Sequence, residues 1–509
     1  MSPPPLPQRV APGDGRWPLY PAAASRAIEA EALARHAPHA LMARAGFAAA
    51  RLALALAPHA QRIWVAAGPG NNGGDGLVAA AHLHRAGRSV QLSLCGDAQR
   101  LPPDAAQALA DARSAGVAIG SALPEGAFDL GIDALLGLGA ARAPQGAIAA
   151  AIDRLNAGPG PCLAVDLPSG LHPDTGQPLG AQAVRATATL ALLTLKPGLF
   201  TGAGRDHAGS IWLDAIGVDS AGWPAPARLA GLQDLRDALP PRLHASHKGS
   251  FGDVAVVGGA AGMTGAARLA AQAALAAGAG RVFVDLLGDA GAGIDPSRPE
   301  LMLRPGWWRS PAEVLARSVV VCGCGGGDAV AEVLPTLLAR CPRLVLDADA
   351  LNRIADDEAL RSRLAARAAR GWRTVLTPHP LEAARLLRSD AAAVQADRLA
   401  AARTLARDCA GVVLLKGSGT VIAAADGRCV VNPSGNARLA AGGSGDVLAG
   451  WIGGLWAQQP PHGDAERAAV AAAWLHGRAA EGNDVGVALR AADLIERMHA
   501  LPAQLGIGG

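Results

Sequence analysis

Short runs of valine, leucine and alanine that end in turn residues alternate with longer alanine-rich stretches from Ile63 onward. Four such runs come first in the chain: RIWVAAGPG, SVQLSLCG, FDLGIDALLG and CLAVDLPSG. Runs of this kind are typical of strands in a parallel sheet whose crossover connections are helices. The sequence therefore predicts a three-layer α/β domain.

Residues 217–250 interrupt this alternation with prolines and small residues. A second series of apolar runs follows, comprising DVAVVGGAAG, GRVFVDLL, SVVVCGCGGG, RLVLDADAL, RTVLTPHP and GVVLLKGSG. We therefore expect two α/β domains in tandem, residues 20–222 and 223–509, after a disordered proline-rich tail at residues 1–19. The two series share no order of motifs, so an internal duplication is not indicated.

The charge balance and the lengths of the apolar runs argue against nucleic-acid and membrane partners. In the 509-residue chain 46 Lys and Arg residues nearly balance 43 Asp and Glu residues, which leaves too little charge for a nucleic-acid footprint. The best candidate for a membrane span, from Val254 to Ala267, is shorter than the roughly 18 residues required. The tail lacks a secretory signal, and the seven cysteines lack the spacing of a zinc site or a redox dithiol. We expect a cytoplasmic protein without nucleic-acid or membrane partners.

The stretch GPGNNGGDG follows the first predicted strand and precedes an apolar helical pattern. Glycines let the backbone approach a ligand closely, and amides at a helix start suit an anion. An ordinary tight turn is the alternative, but Asn71, Asn72 and Asp75 add side-chain chemistry that a turn does not require.

Two further carboxylates stand at predicted strand ends. Asp133 closes one strand, and Asp166 closes the next, three residues before Ser169. Ligands of open α/β sheets collect beyond the carboxyl ends of the strands, so these residues and GPGNNGGDG are expected to face one crevice. A helix cap or turn former is the alternative for Asp166.

The motifs ALMARAG, GPGNNGGDG, DALLGLG, VDLPSGL and LALLTLKPGL occur in the order found in NAD(P)H-hydrate epimerases, and residues 20–220 resemble that family. The resemblance implies a Rossmann-like domain with Asp166 as the acid/base group. It implies potassium binding by Asn72, Asp133 and Ser169, whose oxygen atoms suit a hard cation. Two segments would contact the hydrated dinucleotide: Asn71, Asn72, Gly73, Gly74 and Asp75, and Gly137, Leu138, Gly139, Ala140, Ala141, Arg142 and Ala143.

The chain departs from that family at Leu138, where a threonine is usual, so a side-chain hydroxyl contact is lost there. Lys196 also matches a family position. A lysine at a strand end is usually a solvated surface charge, and we expect no direct catalytic role for Lys196.

The stretch GGSGD, ending at Asp446, presents backbone amides before an apolar helical run. Such amides stabilise anionic oxygens during phosphoryl transfer, and an aspartate there can accept a proton from a hydroxyl. The alternative is a helix cap, since aspartate is a preferred N-cap residue. The pentapeptide alone leaves both interpretations open.

Neighbouring motifs favour the catalytic interpretation. Lys416 follows an apolar strand and precedes a Gly-Ser-Gly turn, which suits nucleotide phosphates. His379 lies between two prolines at another strand end, where a purely structural role is the more usual one. No GxxxxGK[ST] occurs, so the chain has no P-loop.

Residues 244–455 resemble the ribokinase-like, ADP- or ATP-dependent NAD(P)H-hydrate dehydratases, through runs that include HKGSFGDVAVVGG, DADALN, TPHPLEAARLL, LLKGSGT and NPSGNARLAAGGSGD. The resemblance implies Asp446 as the base and Mg²⁺ beside the nucleotide phosphates. The implied nucleotide contacts are Lys416, Gly417, Ser418, Gly419, Thr420 and Gly445. The implied contacts to the hydrated dinucleotide are Ala266, Gly325, His379 and Asp446.

Both resemblances together imply repair of hydrated NADH and NADPH, by epimerisation in the first domain and nucleotide-dependent dehydration in the second. The expected partners are the two hydrates and ADP or ATP, and we expect a homo-oligomer. Two alternatives remain: a ribokinase-like kinase of another small molecule, and a non-catalytic binding scaffold.

Overall fold

The computed structural model describes residues 6–10, 15–288, 295–460, 462–482 and 487–507. The chain divides into two compact units. The first comprises Trp17–Ala227 together with residues 6–10, and the second comprises the described residues from Arg228 onward together with Gly15 and Arg16. The division at Ala227 lies close to the expected boundary at residue 222.

The first unit contains nine short or medium strands: β1 (Gln8–Arg9), β2 (Pro18–Leu19), β3 (Arg62–Ala67), β4 (Ser89–Leu94), β5 (Ala118–Gly120), β6 (Leu130–Ala134), β7 (Cys162–Val165), β8 (Ala188–Leu192) and β9 (Ser210–Asp214). Its sheet has the order β1-β9-β8-β7-β6-β3-β4-β5. Every pair from β3 to β9 is parallel, so the four predicted strands of this region are confirmed. The order reverses between β3 and β6, and such a reversal opens a crevice at the carboxyl ends of the two strands.

Six helices accompany this sheet: α1 (Ala22–Arg35), α2 (Ala40–Leu56), α3 (Asn71–Arg85), α4 (Pro103–Ser114), α5 (Gly146–Asn156) and α6 (Gly204–His207). Small residues bring α2 and α3 close together. A Cβ added at Gly46 would lie 2.4 Å from the Cβ of Val78, so only glycine fits at that crossing. Gly46 thus lets the backbones of α2 and α3 pack closely together.

The N-terminal segment differs from the expected disordered tail. Gln8 pairs with Leu213, and Arg9 with Trp212, in an antiparallel extension of the sheet. Edge strands offer unpaired backbone groups, and here β1 covers the edge that β9 would otherwise expose. The tail positions 1–5 and 11–14 lie outside the described residues.

The second unit contains β10 (Ala227–Leu229), β11 (Asp253–Gly258), β12 (Arg281–Leu286), β13 (Met302–Leu303), β14 (Ser318–Cys322), β15 (Arg343–Leu346), β16 (Arg373–Leu376), β17 (Val412–Leu415), β18 (Val421–Ala423) and β19 (Cys429–Val431). Their order is β13-β12-β11-β14-β15-β16-β17-β18-β19-β10. The six predicted strands, β11, β12 and β14 to β17, are parallel to their neighbours in this series. The antiparallel strands β18 and β19 were not predicted.

Twelve helices belong to this unit: α7 (Leu232–Ala238), α8 (Thr264–Ala276), α9 (Ala312–Arg317), α10 (Val330–Arg340), α11 (Asp349–Asp356), α12 (Glu358–Ala365), α13 (Pro380–Leu387), α14 (Ala391–Ala396), α15 (Arg398–Asp408), α16 (Ser444–Ala457), α17 (Ala465–Ala480) and α18 (Ala491–Gln504). Residues Val447 to Ala457 of α16 are all buried. A Cβ at Gly450 would lie 1.9 Å from the carbonyl oxygen of Ala270 in α8, so the two helix backbones almost touch.

All seven cysteines are buried and free. Within the described residues no single helix is both long and apolar enough to cross a membrane. One pair, Ala22–Arg35 with Ala40–Leu56, passes a test of length and composition only when combined across a 116° bend.

Candidate active sites

A cavity of about 500 Å³ lies in the first unit, where the strand order reverses. Its wall combines residues that follow β3, β6, β7 and β8 with side chains from α1 and α2. Parallel strands bring their carboxyl ends to one edge, which is why segments far apart in sequence meet here.

The predicted segment after β3 is the first turn of α3 rather than a loop, because the N-cap is Gly70. Asn71, Asn72 and Asp75 line the cavity. Gly73 and Gly74 are buried instead: their added Cβ atoms would lie 1.9 Å from the Gly68 carbonyl oxygen and 2.5 Å from the Met42 methyl carbon. Because Gly73 and Gly74 have no side chain, the first turn of α3 can pack directly against Gly68 and Met42.

The second predicted segment contributes only its first half to the cavity. Gly137, Leu138, Gly139 and Ala140 line it, whereas Ala141, Arg142 and Ala143 are not part of its wall. A Cβ at Gly137 would lie 3.3 Å from the Asn72 Cβ and 3.5 Å from Asp166 Oδ2. The carbonyl of Leu138 accepts a hydrogen bond from the Arg26 guanidinium, so position 138 keeps a backbone contact without the family threonine.

Asp166 forms a buried ion pair with Lys196. Its backbone is left-handed, with φ of 66°, which is rare for a non-glycine residue. Asp166 Oδ1 accepts from the Leu192 amide at 3.3 Å and from the Lys196 ammonium. Lys196 also donates to the Leu192 carbonyl at 2.7 Å. The expectation of a solvated Lys196 is wrong, because this side chain is fully buried and needs the carboxylate as counter-charge.

Asp133 and Ser169 contact each other directly. Ser169 donates its hydroxyl to Asp133 Oδ1 at 2.5 Å and its amide to Oδ2 at 2.7 Å. Burial raises the pKa of Asp133 to about 6, against the lowering effect of these hydrogen bonds. The side-chain oxygen and nitrogen of Asn72 are buried, and no described residue bonds to them. That amide can therefore bond to a ligand or an ordered water molecule.

Two further carboxyls of this cavity, Glu29 and Asp104, were not anticipated from the sequence. Burial, followed by the charge of Asp166, raises the pKa of Glu29. Burial and then the charges of Asp166, Glu29 and Asp104 raise the pKa of Asp75 well above its ordinary value. Glu29 and Asp75 therefore favour the neutral carboxyl form more than free carboxyl groups do.

The second site lies where β11, β14, β15, β16 and β17 end beside the start of α16. The N-cap of α16 is Gly443, in a left-handed conformation with φ of 89°. Asp446 lies in the first turn, and no side chain caps the helix. The cap interpretation of Asp446 is therefore wrong.

Asp446, which is partly exposed, belongs to a compact cluster with the buried side chains of Cys324 and Asp347. Their sulfur and carboxylate oxygen atoms all lie within 4.8 Å of one another. Burial and the charge of Asp347 raise the pKa of Asp446 to about 6, while a hydrogen bond with Cys324 and the charge of Lys416 oppose the rise. Asp446 is thus poised to exchange a proton near neutral pH.

Lys416 neutralises part of this cluster. Its ammonium lies 2.7 Å from Asp347 Oδ1 and 4.0 Å from Glu382 Oε2. Burial alone would lower the pKa of Lys416, but the charges of Asp347 and Glu382 outweigh that effect and raise it. A Cβ at Gly445 would lie 3.3 Å from the ammonium, so glycine keeps Lys416 accessible beside the helix start.

His379 is the N-cap of α13. Its Nδ1 accepts from the amides of Leu381 and Glu382 at 3.2 and 3.3 Å, and its own amide donates to Glu382 at 2.8 Å. Burial and the charge of Lys416 lower the pKa of His379. The side chain therefore has a structural function, while nearly half of its surface (46%) stays exposed.

The remaining predicted residues lie at the same strand ends. A Cβ at Gly325, where φ is 58°, would lie 2.9 Å from the Ala266 Cβ, so these two positions are adjacent. In the turn after Lys416, the Thr420 hydroxyl donates to the Gly417 carbonyl at 3.1 Å. Ser418 and Gly419 lie between them.

Sequence reasoning overlooked Asp347, Cys324 and Glu382 as site residues. A signal existed for Asp347, which directly follows the strand RLVL in a run ending with aspartates. No comparable signal marks Cys324, whose proximity to Asp446 depends on tertiary packing.

The two units define a fused α/β enzyme with one carboxylate-bearing site in each unit. The family model described as YjeF-related protein N-terminus matches residues 38–198, and the model described as NAD(P)H-hydrate dehydratase matches residues 254–498. The Escherichia coli (strain K12) bifunctional NAD(P)H-hydrate repair enzyme Nnr is 39% identical over 87% of this chain and 84% of its own length. The chain belongs to the family of bifunctional NAD(P)H-hydrate repair enzymes, and the predicted membership is confirmed.

Other relatives extend the comparison. The Coxiella burnetii (strain RSA 493 / Nine Mile phase I) enzyme of the same name is 37% identical over 91% of this chain and 94% of its own length. The crystal structure of the ADP/ATP-dependent NAD(P)H-hydrate dehydratase from Bacillus subtilis, co-crystallised with ATP/Mg²⁺, is 30% identical with a TM-score of 0.44. It covers 53% of this chain and 95% of that chain.

Proposed function

We propose that the first unit interconverts the R and S epimers of hydrated NADH and NADPH, and that the second unit dehydrates the S epimer with ADP or ATP. The observation that carries this proposal is the pair of complete carboxylate sites in one chain: Asp166 with Lys196, and Asp446 with Lys416 and Asp347. The relatives named above support it.

Hydration places a hydroxyl on C6 of the dihydronicotinamide ring, next to the ring nitrogen. The nitrogen lone pair expels this hydroxyl and leaves a planar iminium, which water attacks from either face. Asp166 is the acid/base group, and the left-handed backbone holds its carboxylate at the cavity wall. The ion pair with Lys196 holds that carboxylate in position.

In the second unit Asp446 takes the proton of the C6 hydroxyl, and the oxygen attacks the terminal phosphorus of the nucleotide. Hydroxide is a poor leaving group and phosphate is a good one. The nitrogen lone pair expels phosphate from C6, the C5 proton is lost, and the 5,6 double bond of NAD(P)H is restored. General bases typically contribute about 10²- to 10⁴-fold in rate.

The nucleotide is proposed to bind along Lys416, Gly417, Ser418, Gly419, Thr420 and Gly445, and the hydrated dinucleotide along Ala266, Gly325, His379 and Asp446. The backbone amides at the start of α16 suit phosphate oxygens. Among the described residues, the Asp347 carboxylate beside Asp446 offers the oxygen ligands that Mg²⁺ prefers, which leaves Asp446 to act as the base. When bound, this ion neutralises charge on the phosphates. The family resemblance favours ADP.

Potassium is proposed to bind at Asn72, Asp133 and Ser169 in the first unit. The unsatisfied Asn72 amide supports this assignment, because its buried oxygen lacks a donor among the described residues. Asp133 and Ser169 supply further oxygens, which are the ligands a hard cation prefers. A bound cation there would fix Asn72 and hold the start of α3 against the loop at Gly137.

The decisive test is incubation with chemically prepared NADH hydrate, nucleotide and Mg²⁺, following the absorbance of the reduced ring. We expect the absorbance to return with both epimers, and to require nucleotide. Omitting ADP, ATP, Mg²⁺ and K⁺ in turn identifies which are used. A phosphorylated product that persists without return of absorbance would instead identify a kinase.

Cytoplasmic location and homo-oligomerisation belong to the same proposal, with no membrane or nucleic-acid partner. The small formal charge of +3 supports the latter point. Light scattering after size-exclusion chromatography measures the oligomeric state directly.

A further inference from the structure

Epimerisation of the hydrate, on which this inference rests, requires two opposite proton transfers. A proton must reach the C6 hydroxyl as it leaves, and another must leave the water that adds to the other face. A site serves both needs when two carboxyls have environments that favour opposite protonation states. The cavity of the first unit contains such a pair.

Asp166 and Asp75 line the same cavity but have different neighbours. The Asp166 carboxylate forms an ion pair with the Lys196 ammonium. Among the described residues, no cation and no hydrogen-bond donor contacts the Asp75 carboxyl, and the charged groups that act on it are carboxylates. This contrast favours the neutral acid at Asp75.

We propose that Asp75 is a second catalytic residue of the epimerase site, the acid that protonates the departing C6 hydroxyl while the Asp166 carboxylate accepts a proton from the incoming water.

The proton balance closes over one turnover. The Asp75 proton moves to the C6 oxygen, the C6–O bond breaks with formation of the C6=N iminium, and water departs. A second water adds to C6 on the opposite face, and the electron pair of the C6=N bond returns to nitrogen. The excess proton of the added water moves to Asp166. Exchange through cavity water then returns that proton from Asp166 to Asp75. The reverse epimerisation uses the same steps with the roles exchanged.

The charges around Asp75 support this assignment from every side. Asp166 follows β7, Glu29 projects from α1, and Asp104 from α4, where it pairs with His39 at 2.8 Å. Burial and these three charges raise the pKa of Asp75. The Arg26 guanidinium, which lines the same cavity, is bound to the Leu138 carbonyl, and the buried Lys196 ammonium is bound to Asp166.

Asp75→Asn in the full chain tests the proposal. We expect kcat for R-to-S interconversion to fall by about 10²- to 10⁴-fold after subtraction of the spontaneous rate at each pH. Dehydration of the pure S epimer should stay unchanged, which shows that the second unit is intact, and an unchanged urea-unfolding midpoint of the first unit shows that Asp75→Asn folds. The wild-type kcat should fall on the basic side as Asp75 loses its proton, and the residual rate of Asp75→Asn should lack that limb, whereas Asp75→Glu should retain it.

Asp104→Asn is the matched control, because it removes a carboxylate near Asp75 and leaves Asp75 in place. Its basic limb should persist and move to lower pH. A change confined to KM in Asp75→Asn, or an intact basic limb, would overturn the inference and assign Asp75 to binding alone. If Asp166→Asn also retains full interconversion, the epimerase proposal itself fails, which is a separate result.

Discussion

Asp446 is held in the first turn of α16, beside Cys324 and Asp347 and within the field of Lys416. Replacement by asparagine keeps the shape and removes the proton acceptor. We expect Asp446→Asn to lower kcat for S-epimer dehydration by about 10²- to 10⁴-fold while epimerisation continues. Asp166→Asn is the matched control, with the reverse pattern. Dehydration by Asp446→Asn at the wild-type rate would disprove the base assignment.

The pH dependence of dehydration follows from the same carboxyl. Because the pKa of Asp446 is raised to about 6, its basic form is lost as the pH falls through that value. We expect kcat/KM for the S epimer to rise through pH of about 6 and then level off. Initial rates in buffers of constant ionic strength measure this, and a profile that is flat across that pH would contradict it.

Lys196 supplies a stability prediction in the first unit. Lys196→Met leaves the buried Asp166 carboxylate without its counter-charge, so we expect a loss of about 3–5 kcal/mol in the unfolding free energy of this unit. Urea unfolding measures the loss. The double variant Lys196→Met/Asp166→Leu should be less destabilised than Lys196→Met, and an equal or larger loss would show that the ion pair is not the cause.

Sequence patterns located residues that stand at strand ends and missed side chains whose positions depend on tertiary packing. Apolar runs lead up to Asp133, Asp166 and Lys416. These residues could be located because ligands of open α/β sheets bind beyond the carboxyl ends of the strands. The burial of Lys196 depends on its ion pair with Asp166, 30 positions earlier in the chain. No local sequence pattern reveals that these two residues are close in space. Glu29 reaches the cavity from α1, which carries no motif.

At the scale of elements, parallel strands were predictable because buried runs such as VAVVG and RLVL have both faces covered and end in glycine or aspartate. The short strands β1, β18 and β19 contain two or three residues, too few for a pattern. The start of α3 was placed too late, because GPGNNGGDG has poor helix formers that nevertheless occupy its first turn.

The close contact of α16 and α8 gives a prediction about elements. Gly450→Ala places a methyl group against the Ala270 carbonyl, so we expect a loss of about 1–3 kcal/mol in stability of the second unit. Gly265→Ala, on α8 with open space around it, should stabilise by up to about 1 kcal/mol. Tryptophan fluorescence during urea unfolding measures both, and equal effects would contradict the contact.

At the scale of the whole molecule, the residues of each site come from one unit only. Two defective chains should therefore complement each other. We expect an equimolar mixture of Asp166→Asn and Asp446→Asn to convert the R epimer into NADH when nucleotide is present. Asp166→Asn alone should be limited by the spontaneous rate of epimerisation, and Asp446→Asn alone should not dehydrate the S epimer. Failure of the mixture would show that the S epimer does not pass between chains.

The seven buried cysteines can report local unfolding of the chain through the rate of their chemical modification. Burial raises the pKa of every one of these thiols, so few thiolates exist at neutral pH and none faces bulk solvent. A thiol reagent can modify them only when the surrounding structure opens. Because Cys95 and Cys162 lie in the first unit and the other five in the second, the order of their modification reports which unit opens first and how strongly a bound nucleotide delays it.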